Sequence, residues 1–66
     1  MNDDLSDDDR RRLRHDLRTP LTIVTGFAEL LASDREIADD ARRDYGARIH
    51  AAAEELRTML DRWLEE

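Results

Sequence analysis

The sequence predicts an all-α fold: a helical hairpin that pairs with a second copy to form a homodimeric antiparallel four-helix bundle. Three observations predict it. Leu13, Leu17, Pro20, Val24, Phe27 and Leu31 recur at alternating steps of four and three residues, the spacing of a helix packed in a bundle. Tyr45, Ile49, Ala52, Leu56, Met59 and Trp63 repeat the same steps. Between the two sets, "ASDREIADD" loses the spacing and gathers Ser and Asp.

The elements follow in order. "MNDDLS" is polar and expected to fray, with Ser6 or Asp7 as N-cap of a first helix over about 7–33. In "DDDRRRLR", Asp7 and Asp8 precede Arg10, Arg11 and Arg12 by three or four residues. Such pairs contribute about 0.2–0.5 kcal/mol each, and acids suit a helix start. Leu21, Ala28 and Leu30 widen the first stripe to the breadth of a bundle core. A connection at about 34–38 makes the helices antiparallel neighbours. Asp39 or Asp40 is expected to cap the second helix, about 39–64, whose stripe Ala53, Leu60 and Leu64 widen. Residues 1–66 then form a single domain.

A lone hairpin cannot enclose stripes this wide. A core from 66 residues rarely supplies more than about 3–5 kcal/mol without disulfides, a metal or association. Cysteine is absent and the two histidines lie far apart, so no disulfide or metal site is expected and dimerisation is. The net charge is −6 and all eleven basic residues are Arg. That balance argues against general affinity for nucleic acid or anionic membrane. No apolar run approaches the roughly 18–20 residues of a membrane span, so the chain is expected to be cytoplasmic, or the cytoplasmic part of a larger protein.

One histidine stands apart from the packing pattern. At about 100° per residue, with Leu13 at 0°, the core direction near Leu17 is about 20° and His15 falls at about 200°. Thr19 lies at about 240°, Asp16 at about 300°, and Arg11 and Arg18 at about 160° and 140°. An outward imidazole beside a carboxylate, a hydroxyl and two guanidinium groups suits phosphoryl transfer at nitrogen. A neutral imidazole is a competent nucleophile near neutral pH, because the unperturbed side chain has a pKa of about 6.5. The carboxylate can fix the tautomer and take up positive charge, and the arginines can contact phosphate oxygens. The alternative is an ordinary surface histidine. Pro20 favours chemistry, because proline removes a helix hydrogen bond at about 3 kcal/mol. The expected return is a kink at Pro20 that opens the bundle beside His15. His50, Tyr45 and Trp63 read as packing or surface residues.

"HDLRTPL", His15 to Leu21, resembles the phosphoacceptor motif of bacterial two-component sensor histidine kinases. "TIVTGFAELL" is similar to the stretch that follows that motif, and "ARIHAAAEELRTMLDRWLEE" to the family's return helix. The resemblance implies a dimerisation and histidine-phosphotransfer domain of the DHp, or HisKA, type. It further implies that His15 accepts phosphoryl from ATP and passes it to an aspartate of a response regulator. Asp16 would then be the acid/base partner, Thr19 would position water for dephosphorylating the regulator, and Pro20 would be the kink. Thr22, Thr25 and Gly26 would lie where the regulator docks. No asparagine box or glycine-rich lid occurs, so ATP and Mg2+ would be bound by a separate catalytic domain and the chain would be inactive alone. A purely structural dimeric hairpin is the competing reading. A monomeric relay protein fits neither the length nor "HDLRTP".

Overall fold

The structure is a computed structural model that describes residues 5–64. Helix α1 runs Asp7–Ala32 and helix α2 runs Asp39–Leu64, 26 residues each. They pack side by side as an antiparallel hairpin of 47 × 18 × 15 Å.

Ser6 caps α1. Its hydroxyl accepts from the Asp9 amide at 3.0 Å, and the Asp9 carboxylate accepts from the Ser6 amide at 3.3 Å. This reciprocal box satisfies two amides that the first turn leaves without partners. Asp7, Asp8 and Asp9 add negative charge to that turn, where the helix dipole favours it. At the other end, the Ser33 hydroxyl and amide both donate to the Leu30 carbonyl, at 2.7 and 3.3 Å. Neither Asp39 nor Asp40 precedes α2 as expected. Both lie inside its first turn, and the first helical bond runs from the Arg42 amide to the Ala38 carbonyl at 2.9 Å. The Asp40 carboxylate instead accepts from the Ala41 amide at 2.8 Å.

The seam between the helices contains the stripes. Leu13, Leu17, Val24 and Phe27 of α1 and Tyr45, Ile49, Leu56, Met59 and Trp63 of α2 are half-buried. The Phe27 and Tyr45 rings meet at 5.1 Å between centroids with a 38° tilt, a favoured aromatic geometry. The Arg48 guanidinium lies 5.8 Å from the Phe27 centroid while its Nε donates to Asp44 at 2.9 Å. That hydrogen bond, helped by the Asp44 charge, holds the Arg48 pKa above its ordinary value. A raised basic pKa contributes stability below the unfolded value and loses it as pH rises through the folded one. The Arg48 side of the pair is therefore charged at neutral pH and is lost only under strong alkali.

Stepping outwards from Phe27 and Tyr45, an antiparallel register brings Pro20 level with Ala52. These are the two most enclosed residues, Pro20 below 2% exposed and Ala52 at 5%. Pro20 is thus enclosed within the hairpin, and the position level with it on α2 is an alanine. The end of the α1 stripe also differs from expectation. Leu31 is exposed and Leu30 is half-buried in its place.

The remaining apolar residues fall mainly on one side. Measured from the seam, Leu21 and Ala28 lie at about +80° and +60° on α1, and Ala53, Leu60 and Leu64 at about +60° to +100° on α2. Because the helices are antiparallel, equal rotations of the same sign bring both sets to the same broad face. Leu21 is 48% exposed and Leu64 51%. Ile23 lies on the opposite edge.

Enlarging Ala52 tests the close approach at Pro20. Ala52→Leu should lower stability by about 1–3 kcal/mol by overpacking, read as a lower urea midpoint at fixed protein concentration. An unchanged midpoint would show that the seam has room there.

Candidate functional site

Helix rotation positions the site. The seam fixes one face of α1 against α2, and His15 lies nearly opposite that face. Its side chain is 85% exposed, against 43% for Asp16. Neighbouring helix residues diverge by about 100° and do not face each other, so Asp16 sits at the edge of the hairpin while His15 projects from its back. Even so, His15 Nδ1 comes within 3.5 Å of Asp16 Oδ1. This is a close electrostatic approach, longer than an ordinary N–H···O hydrogen bond. It leaves Nε2 as the ring nitrogen turned from the carboxylate.

The arrangement has chemical consequences. A carboxylate near Nδ1 favours the tautomer with its proton there, which leaves the lone pair on Nε2. A small turn of either side chain would close the 3.5 Å gap as positive charge develops on the ring. Thr19, on the next turn of the same face, is exposed.

The structure separates the two candidate arginines. Arg11 borders a shallow hollow with His15, together with Asp8 and Arg12. Arg18 borders a different, longer hollow further along α1, with Leu17, Leu21, Thr22, Thr25 and Gly26 among its walls. The cause is the direction of helical side chains. Each Cα–Cβ bond tilts towards the N-terminus, so the His15 ring covers the turn before it. Sequence reasoning passed over Arg12 and Asp8, which the same tilt would have identified. Arg11 Nη1 is 3.9 Å from Asp8 Oδ1, with both side chains largely exposed.

Gly26 borders the longer hollow, and a Cβ built there would meet nothing within 4 Å. The hairpin itself therefore does not require glycine. His50 is exposed on α2. Among the described residues no group of three or more His, Cys, Asp or Glu could hold a metal ion. Among the same residues no helix is long and apolar enough to cross a membrane.

An exposed histidine on the back of the first helix of a hairpin, followed by Asp16, Thr19 and a buried proline, has a counterpart among known proteins. The profile of the His Kinase A (phospho-acceptor) domain matches residues 11–66. The chain belongs to this family. Among curated proteins it is similar to the sensor histidine kinase YcbM of Bacillus subtilis, 30% identical over 53 residues, covering 80% of this chain and 17% of that protein. It is also similar to the cell-division control histidine kinase PdhS of Brucella anthropi. That match is 32% identical over 56 residues, covering 82% of this chain and 5% of that protein. The chain thus spans a small part of the length of either relative. No solved structure matches. The match places this chain as the phosphoacceptor and dimerisation type of module found in two-component sensor kinases.

Because the His15 side chain makes little contact with the hairpin, its removal should be nearly silent for folding. His15→Ala should keep its helical circular dichroism and a denaturation midpoint within about 0.5 kcal/mol of the parent. A larger loss would mean that the ring packs against the fold.

Proposed function

We propose that His15 is the phosphoacceptor of a sensor histidine kinase, acting within a homodimeric four-helix bundle. The observation that carries this reading is the His15 ring, exposed on the side of α1 away from α2 with Nε2 turned from Asp16. In the transfer, the Nε2 lone pair attacks the γ-phosphorus of ATP. The bond from that phosphorus to the bridging oxygen breaks, and ADP leaves with the electron pair. A separate catalytic domain presents ATP and Mg2+. Asp16 holds the Nδ1 proton and balances the charge that develops on the ring. A carboxylate oxygen of a response-regulator aspartate then attacks phosphorus, and the N–P electron pair returns to Nε2. Thr19, one turn on, orients water when the phosphorylated regulator is hydrolysed.

The dimer is supported by area and by pattern. The chain exposes 5606 Å², whereas a compact monomer of its 7.7 kDa would expose about 4,300 Å². The excess is accompanied by the one-sided face of Leu21, Ala28, Ala53, Leu60 and Leu64, which a second copy would cover by two-fold symmetry. The regulator would dock lower on the back of α1, at Thr22, Thr25 and Gly26, where Gly26 admits a close approach. All of this chemistry belongs to the cytoplasmic side of a cell.

The deciding measurement incubates the chain with ATP and the histidine-kinase catalytic domain of its natural parent. An acid-labile, alkali-stable phosphate label should appear on the parent chain and be absent from His15→Ala. A folded dimer that takes no label would leave the structural hairpin as the better reading. In sedimentation equilibrium, Leu21→Glu or Leu60→Glu should weaken the dimer at least tenfold, since each buried leucine contributes about 1.5–3 kcal/mol. An unchanged association constant would move the interface to another face.

A further inference from the structure

We propose that Arg11 and Arg12 form a cradle for the phosphoryl group on His15, with Asp8 holding Arg11 until that group arrives. The proposal rests on His15 being the phosphoacceptor and concerns what happens to the phosphohistidine once it exists. The hollow beside the ring is lined by Asp8, Arg11, Arg12 and His15. Arg12 and Arg11 stand three and four residues before His15, the two spacings that make helix residues neighbours. The ring tilts over that turn, so a phosphoryl group on the exposed nitrogen would extend among the two guanidinium groups.

Arg11 is only loosely engaged at rest. Its 3.9 Å approach to Asp8, with side chains 79% and 88% exposed, is the kind of surface pair that contributes little. A phosphoryl dianion carries twice the charge of a carboxylate and three acceptor oxygens. It would therefore draw Arg11 from Asp8. Arg12 has no ion-pair partner among the described contacts.

The cradle should slow loss of the phosphoryl group. Hydrolysis breaks the Nε2–P bond as water adds to phosphorus, returning the electron pair to Nε2 and releasing phosphate. Its loose, metaphosphate-like transition state carries less charge on the peripheral oxygens than the ground-state dianion does. Guanidinium groups bound to those oxygens stabilise the ground state more, and the barrier rises.

The chain contains its own reference. His50 is also exposed, but the residues one turn away on either side are Gly46, Ala47, Ala53 and Glu54, none of them a cation. Potassium phosphoramidate phosphorylates imidazole directly: the ring nitrogen attacks phosphorus, the reagent's N–P bond breaks and ammonia leaves. The full chain would be treated in this way, and decay of phospho-His15 and phospho-His50 followed by phosphorus NMR. Phospho-His15 should outlast phospho-His50 by about three- to fivefold at low salt, the scale of exposed ion pairs. The gap should close in the Arg11→Ala/Arg12→Ala double variant and shrink near 1 M salt, where the Debye length is about 3 Å. Asp8→Asn should lengthen the life of phospho-His15, the opposite of what a weakened helix start would do. Equal decay of the two phosphohistidines, or a gap that survives the double variant, overturns the proposal. Should the double variant fold poorly, the salt and Asp8→Asn responses of the otherwise intact chain decide it. The chemical reagent needs no catalytic domain, so failure here is separate from failure to label His15 with ATP.

Discussion

The seam between α1 and α2 governs the rest of the molecule, because a helix face committed to packing fixes where every other face points. With Leu13, Leu17, Val24 and Phe27 held against α2, α1 has no rotational freedom left. His15 must then project from its back and Asp16 must sit at the edge. A rotation of one residue position, about 100°, would bring Asp16 to the back in its place. The aromatic contact of Phe27 with Tyr45, overlaid by Arg48 and Asp44, sets the longitudinal register at the connected end. From it follows the meeting of Pro20 with Ala52.

That meeting changes how the proline is understood. Read from the sequence, a helix-interior proline next to a nucleophile suggests a place that opens. In the hairpin the ring is the most enclosed side chain, because the facing position is alanine and the two backbones can approach. The cost of the missing amide is incurred in the seam, where the ring also recovers packing contacts. The His15 turn is held against α2 through Leu13 and Leu17, half-buried beneath it, while its outward face stays open. A side chain that reacts with an incoming partner benefits from both properties: fixed backbone position and unobstructed approach.

The back of α1 is divided along its length. Before His15 lie the arginines and Asp8, and beyond it lie Thr22, Thr25 and Gly26, small or hydroxylic residues. The first group is suited to phosphate oxygens and the second to a protein surface. The side of the hairpin with Leu21, Leu60 and Leu64 is suited to neither, being apolar. Two zones along the back of α1 and one apolar side of the hairpin thus present three different kinds of surface.

How far the sequence reaches can be judged residue by residue. Spacing alone determined the all-α hairpin, since a stripe that alternates by three and four residues has only one secondary structure that can gather it on a face. The same spacing, with the motif His15 to Pro20, was enough to identify the phosphoacceptor family. It also placed His15 opposite the core, because helical angles accumulate predictably over one turn. At the far end of α1, Leu30 is half-buried and Leu31 exposed, which the spacing did not indicate. Capping of α2 was misjudged because Asp39 and Asp40 are equally good one residue earlier or later, and only the path of the connection selects Ala38. Which arginines accompany His15 was beyond an angular projection, which ignores the tilt of side chains along the axis. That tilt favours Arg11 and Arg12. The enclosure of Pro20 depended on Ala52, a residue 32 positions away in the chain. No local pattern contains that contact; the antiparallel register creates it.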